Sequence, residues 1–460
     1  MTGTKTKKVQ KEKMLQFMII LFIFVVKYSH YKSDCSSYHV EDTFLCMRLN
    51  PRGPTPSMTG MNDRHKDEKG DKKMDFRFTT DQIDIRKAVR EWAEKEFTKE
   101  IALECDKNEQ FPHELHKMAA ELGFIGIHFP EQYGGGGFGT LENCLYVEEI
   151  CRVDSGLGAA LLLPDFGSEL ILNNGTEEQK HKYLPKVASG EFISAGAFTE
   201  PEHGSDITKM DTTALKSGDE WEINGNKTLI SNATIADFYT VLCQTDTEIS
   251  PSYRGQSLII VEKDADGLDI TTFKDKLGCR AAPTGDLSFS NVRVPEENLV
   301  GELNKGFYQS LEFFNESRIE VASQGVGTAQ GAFERAFNYA KERTAFGEPI
   351  ITGFQAVSHK IADMAIKIES ARLLTYKAAW LVDNGQTDPA ISSMAKAHAG
   401  RVAVEVADEA IQTLGGAGYI ADNEVERFYR DAKLIEIYEG TREIQKNTIV
   451  RSLIKKGVKS

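Results

Sequence analysis

Glu439 lies in residues 434–445, LIEIYEGTREIQ, between two runs with helical spacing. On its left Val425, Phe428, Tyr429, Ala432 and Ile435 recur along one helical face. On its right Thr441 suits the N-cap of a second helix over 442–454. The break therefore presents a carboxylate on a short turn beside Gly440, which lets a backbone or a bulky ligand come close. Ile435, Ile437 and Tyr438 would desolvate that carboxyl, raise its pKa and make it a better proton acceptor near neutrality. A carboxylate in an ordinary exposed interhelical loop is the plainer alternative, and this stretch alone leaves both open.

Four other stretches carry usable groups. AFTEPEHGSD at 197–206 offers hydroxyls at Thr199 and Ser205, a stiffening Pro201 and an open backbone at Gly204. Taken alone, such a loop reads first as a structural turn and only second as a cofactor site, and His203 within it reads as a structural hydrogen-bonder. KTLISN follows at 227–232, then ERTAFG at 342–347 with Gln355 eight residues past Gly347, then IQTLGGAGY at 411–419. The forked guanidinium of Arg343 suits a phosphate. No G-x-G-x-x-G is present, so a Rossmann nucleotide site is not implied.

The elements that must position these groups fall in three blocks. Helical spacing fills about 79–190, with a flexible loop expected at the four glycines 134–137 and a break at Pro164-Asp165 in a buried run. Alternating strands fill 192–300, with hairpin turns expected at Ser217-Gly218 and Asn224-Gly225. Helical runs return at 306–342, 352–384, 390–415 and 423–455. The expected class is α+β, mainly α, with domains at 74–191, 192–301 and 302–460, the last an antiparallel bundle.

A net charge of −14 with no acidic blocks argues against nucleic acid as a partner. None of the seven cysteines forms a metal-binding spacing, so no metal and a reducing, cytoplasmic setting are expected. Residues 1–73 differ, carrying 14 Lys/Arg against 8 Asp/Glu, an excess of +6 that leaves −20 for the rest. The apolar segment 14–26 follows a basic stretch like a signal peptide but lacks a small-residue cleavage site, and it is short for a membrane span. A membrane tether and a targeting peptide stay open; the reading preferred is an extension outside the functional protein, because Met74 opens a well-patterned helix.

In this order and spacing the five stretches resemble the acyl-CoA dehydrogenase family, over residues 76–453. The resemblance implies N-terminal helices, a central β barrel or sandwich and a C-terminal four-helix bundle, assembled as a homotetramer around non-covalent FAD. Mapped residue by residue, Thr199 would meet the flavin pyrimidine edge and Ser231 the N5 region, with Ile230 also on the cofactor side. Leu229 stands where many members place a Trp. Arg343, Phe346, Gln355, Gln412, Gly415 and Gly416 would reach the FAD of a neighbouring subunit, and Thr441 and Glu443 that of their own. Ser205 would lie between the flavin phosphate and the CoA pantetheine, Arg318 would be a CoA-side contact, and Gly440 would bind substrate.

The implied chemistry is α,β-dehydrogenation: Glu439 takes the Cα proton and flavin N5 the Cβ hydride, giving 2-enoyl-CoA, with electrons passing to an electron-transfer flavoprotein. Members with the base elsewhere carry it just before the arginine matched by Arg318; here Ser317 occupies that place and cannot serve. Gly158 replaces the Arg of glutaryl-CoA-decarboxylating members, which points to a short-chain, branched or alicyclic monocarboxyl substrate. Asp165 either caps the next turn or meets a ring or polar acyl tail, as a second carboxylate does in the alicyclic branch. Two alternatives are an acyl-CoA oxidase, whose members usually carry a further C-terminal domain, and a catalytically silent FAD-binding assembly protein.

Overall fold

The computed structural model describes residues 76–457, so the readings of 1–73, including the apolar segment 14–26, lie outside the described residues. Among the described residues, no helix is long and apolar enough to cross a membrane.

The N-terminal domain begins where sequence dictates. Thr79 accepts from the Gln82 N–H while the Gln82 side chain accepts from Thr79, a capping box that starts α1 (Thr80–Glu96). Then come α2 (Lys99–Asn108), α3 (His113–Glu121), α4 (Thr140–Val153), α5 (Ser155–Leu162), α6 (Ser168–Asn174) and α7 (Glu177–Ala188). The centre of α4 is buried on every side, Asn143 through Cys151, because α1 and the bundle enclose it. Its two acidic residues are matched by cations: Glu149 by Arg86 at 2.7 Å and Arg90 at 2.6 Å, and Glu148 by Arg372 at 3.0 Å.

The central domain is one eight-stranded sheet in the order β6-β7-β3-β2-β4-β5-β8, with β1 parallel to β4. Its strands are β1 (Ser194–Ala197), β2 (Thr213–Ser217), β3 (Glu220–Ser231), β4 (Phe238–Gln244), β5 (Gln256–Glu262), β6 (Leu268–Thr272), β7 (Thr284–Pro295) and β8 (Leu299–Val300). The end strands β6 and β8 are not paired to each other.

The C-terminal domain packs α8 (Gly306–Glu342), a one-turn α9 (Ile350–Gly353), α10 (Gln355–Asp383) and α11 (Pro389–Leu414), then α12 (Val425–Ile435) and α13 (Arg442–Lys456). The fourth predicted run is thus two helices. The α8–α11 seam is built from small residues at helical spacing, Ala322, Ala329, Ala332 and Ala336 facing Ala395, Ala399, Ala403 and Ala407. A Cβ on Gly325 would fall 2.9 Å from the Ala399 carbonyl, so the backbones approach as closely as glycine permits.

Two local readings are corrected. A loop stands at 134–137 as expected, but its middle glycines serve close packing: a Cβ on Gly135 would lie 2.3 Å from the Phe129 carbonyl, and one on Gly136 2.7 Å from that of Ile127, while Gly134 and Gly137 take positive φ. Asn224-Gly225 is no turn but a bulge inside β3, where the register against β7 shifts and a Cβ on Gly225 would strike Thr212 Cα at 2.5 Å. The five cysteines among the described residues are free and buried.

Candidate active site

The turn between α12 and α13 is fixed from both ends. Val425, Phe428, Ala432 and Ile435 bury the inner face of α12, and Thr441 caps α13 by accepting from the Ile444 N–H. Between them Glu439 and Gly440 both adopt left-handed backbone, φ 53° and 90°. Glu439 is half-buried, and its Oε2 accepts a 2.7 Å hydrogen bond from the Ser317 hydroxyl on α8. Burial raises the Glu439 carboxyl above its ordinary range, against the opposing pull of the Ser317 bond, Arg318 and Lys396. Its N–H makes no hydrogen bond among the described residues. A basic carboxylate and an unengaged amide donor on one turn can abstract a proton next to a carbonyl that the amide polarises.

Arg318 is 7% exposed and points its Nε at the Glu439 carbonyl, 3.5 Å away, so it packs against the turn. Tyr438 donates to Gln324 on α8.

A second acidic group lies beyond. Burial pushes the Glu320 carboxyl well up, and the neighbouring charges of Asp165, Glu316 and Glu439 push it further. Asp165 is raised to about 6 by burial, partly offset by the 3.3 Å bond it accepts from the Gly126 N–H. It does not cap α6 with its side chain, because Gly167 holds the N-cap position. Buried Glu169 accepts from the Gly167 N–H at 2.9 Å, and the donor atoms of His128, Asp165 and Glu169 lie within 4.8 Å of one another. His128 is driven down to about 4 by burial and stays neutral.

This sets a pH dependence of stability. The folded Asp165 carboxyl keeps its proton to higher pH than the unfolded one, so its favourable contribution is complete below about pH 4 and is lost as pH rises through about 6. Asp165→Asn is expected to raise the unfolding free energy at pH 8 by on the order of 1–3 kcal/mol. Thermal melts at pH 8 and pH 4 check this: the gain should vanish at the lower pH.

The 197–206 loop is held from beneath. Lys227, fully buried on β3, donates to the Phe198 carbonyl at 3.1 Å and to Glu200 Oε1 at 2.7 Å, bracketing Thr199. Glu200 also accepts from the N–H groups of Asp211 at 2.6 Å and Thr212 at 3.0 Å. The Thr199 carbonyl in turn accepts from the Thr228 N–H at 2.9 Å. A register shift after Lys227 turns Leu229 outward at φ 59°, 62% exposed, while Ile230 is buried and Ser231 half-buried. The exposed aliphatic Leu229 thus stands two residues before Ser231 and one after Thr228, whose N–H ties this strand to the Thr199 loop. His203 Nε2 sits 3.3 Å from Asp211, consistent with a structural part, and Ser205 is exposed.

Arg343, Phe346 and Gln355 stand exposed where α8 leads to α10, Phe346 at 98%. Gln412, Gly415 and Gly416 are exposed at the end of α11; Glu443 is exposed and Thr441 half-buried. Sequence reasoning missed Ser317 as a partner of the base, and missed Lys396, Gln445, Lys227, Glu169 and Glu320 altogether. A signal existed for Lys396 alone, a cation among the small residues of SSMAKAHAG.

The chain matches the sequence profiles described as acyl-CoA dehydrogenase N-terminal domain over residues 79–191, middle domain over 195–292 and C-terminal domain over 304–454. It is 42% identical to a short-chain-specific acyl-CoA dehydrogenase of Clostridium acetobutylicum over 377 residues, covering 82% of this chain and 98% of that protein. It is 41% identical to the CarC subunit of the caffeyl-CoA reductase–Etf complex of Acetobacterium woodii, covering 81% of this chain and 98% of that one. The butyryl-CoA dehydrogenase structure from Megasphaera elsdenii superposes with a TM-score of 0.78 at 36% identity, covering 83% of this chain and all of that one. With all three domains matched in order, the chain belongs to the acyl-CoA dehydrogenase family of flavoprotein oxidoreductases.

Proposed function

We propose that the protein oxidises an acyl-CoA thioester between Cα and Cβ to give the 2-enoyl-CoA, with Glu439 as the base that takes the Cα proton. The observation that carries this is the Glu439 carboxylate, pinned by Ser317 at 2.7 Å and made more basic by burial. The Glu439 N–H polarises the thioester carbonyl, and Ser205, Arg318 and Gly440 lie on the CoA side. Thr199, Leu229, Ile230, Ser231, Thr441 and Glu443 hold FAD in their own subunit. Arg343, Phe346, Gln355, Gln412, Gly415 and Gly416 reach it from a neighbour in a homotetramer. Bound flavin supplies the acceptor for the Cβ hydride. The domains divide at 74–191, 192–301 and 302–460.

An electron-transfer flavoprotein is the proposed electron acceptor, in keeping with the relative named as part of a reductase–Etf complex. The proposed substrate is a short-chain, branched or alicyclic monocarboxyl thioester. One observation supports this: a side chain at Gly158 would collide with Cys151 at 2.7 Å, leaving no room for an arginine. Asp165 is the group proposed to meet a ring or polar acyl tail.

Anaerobic titration of the flavin-loaded enzyme with butyryl-, isovaleryl-, cyclohexanecarbonyl- and glutaryl-CoA tests the reading. Bleaching of the flavin absorption is expected with at least one monocarboxyl thioester and not with glutaryl-CoA. A flavin that no thioester bleaches would overturn the proposal.

A further inference from the structure

Lys396 is 1% exposed on α11, amid Ser392, Ser393, Ala395 and Ala399, and its Nζ donates to the Gly440 carbonyl at 2.7 Å. Gln445, wholly buried in the first turns of α13, donates its Nε2 to the carbonyls of both Glu439 and Gly440, at 2.9 Å each. Arg318 approaches the Glu439 carbonyl from α8 at 3.5 Å. These donors converge on the two carbonyls of a turn in which Glu439, a non-glycine residue, is held left-handed at φ 53°, a backbone form that persists only where its surroundings over-determine it. The fit is close: a Cβ on Gly440 would lie 2.7 Å from Gln445 Nε2.

We propose that Lys396 is a positioning residue for proton abstraction: from α11 it holds the Glu439–Gly440 turn so that the carboxylate and the Glu439 N–H face the substrate together. The inference rests on Glu439 being the base. Both carbonyls are engaged by Lys396, Gln445 and Arg318, while the N–H of Glu439 makes no hydrogen bond among the described residues.

A neutral amide would suffice merely to bond one carbonyl, so the ammonium does more. The charged groups around it are Glu439 on the turn, Glu436 at the end of α12 and Arg318 on α8. Burial lowers the Lys396 pKa to about 7, against the pull of Glu439 and Glu436 and with the push of Arg318. Its charge in turn draws the Glu439 carboxyl downward, offsetting part of the rise that burial imposes. Lys396 therefore sets both where the base stands and the pH at which it ionises.

Flavin-loaded Lys396→Met and Lys396→Gln are compared with the parent by stopped-flow anaerobic flavin reduction across pH. The probe is whichever of butyryl-, isovaleryl- and cyclohexanecarbonyl-CoA bleaches the parent fastest. Lys396→Met is expected to lose about 100-fold in the limiting reduction rate, with apparent thioester affinity changed by less than about threefold. Its pH midpoint should rise. Lys396→Gln should recover most of the rate, because a donor is restored, while keeping the raised midpoint, because the charge is not. A parental rate and midpoint in Lys396→Met would overturn the proposal; if that variant does not fold, an unshifted midpoint in Lys396→Gln overturns it. Should Glu439→Gln retain the parental rate, the base assignment itself falls, whereas silent Lys396 variants beside an inactive Glu439→Gln overturn only the positioning role.

Discussion

Glu439→Gln is expected to slow anaerobic flavin reduction by about 10²–10⁴-fold, the range that a positioned general base contributes. Gln keeps the size of Glu and can still accept the Ser317 hydroxyl, which reaches Oε2 at 2.7 Å. What is lost is the ability to take a proton. Stopped-flow absorbance of the loaded variant, with its flavin spectrum and melting temperature as controls for folding, gives the measurement; a parental rate would remove Glu439 from the mechanism.

The parent's pH profile should carry the same signature. Burial holds the folded Glu439 carboxyl above its ordinary range, and only the ionised form accepts a proton, so the rate should climb with pH through a midpoint above that of a free glutamate.

Lys227→Met is expected to cost about 3–5 kcal/mol of stability, the typical penalty for removing one partner of a buried ion pair. The side chains of Lys227 and Glu200 are 0% and 2% exposed and meet at 2.7 Å. Burial opposes ionisation of Glu200, yet Lys227 and the bonds from Asp211 and Thr212 outweigh it and hold the carboxyl below its usual range. Without Lys227 that carboxylate faces no cation. Because Lys227 also holds the Phe198 carbonyl, the loss should loosen the segment presenting Thr199 and weaken flavin retention. Chemical denaturation with a double-mutant cycle on Glu200→Gln measures the coupling. The double variant should be more stable than Lys227→Met alone, since no unpaired charge remains.

How much of this could be read in the sequence follows from the range of the interactions. The Glu-Gly break at 439–440 is local: two helical runs with a cap between them define a turn, and the structure has one there. The fold class is local too, because periodicity of 3.6 or 2 marks each block. Ser317 was set aside as unable to replace the base, yet it grips that base from 122 residues away, a relation created only when α8 packs beside the turn. Gly135 and Gly136 look like freedom in the sequence and act as contact in the fold, since the Phe129 and Ile127 carbonyls they touch cannot be foreseen from a glycine run. Asp165 was seen as ambiguous between cap and pocket; its neighbours Glu169 and His128, which make it one of a crowded set, came only with tertiary structure.

The acidic group and the base turn are drawn from different parts of the chain. His128, Asp165 and Glu169 belong to the N-terminal helical domain, whereas Glu439 and the donors that hold it, Ser317, Arg318, Lys396 and Gln445, all belong to the C-terminal helices. Glu316 and Glu320 of the acidic group come from α8. If Asp165 meets the acyl group as proposed, exchanging residues 163–169 would change which thioesters are accepted while leaving Glu439 and the residues that hold it in place. A library confined to those seven positions puts that division to the test, with selectivity among thioesters expected to change while Glu439 still takes the proton.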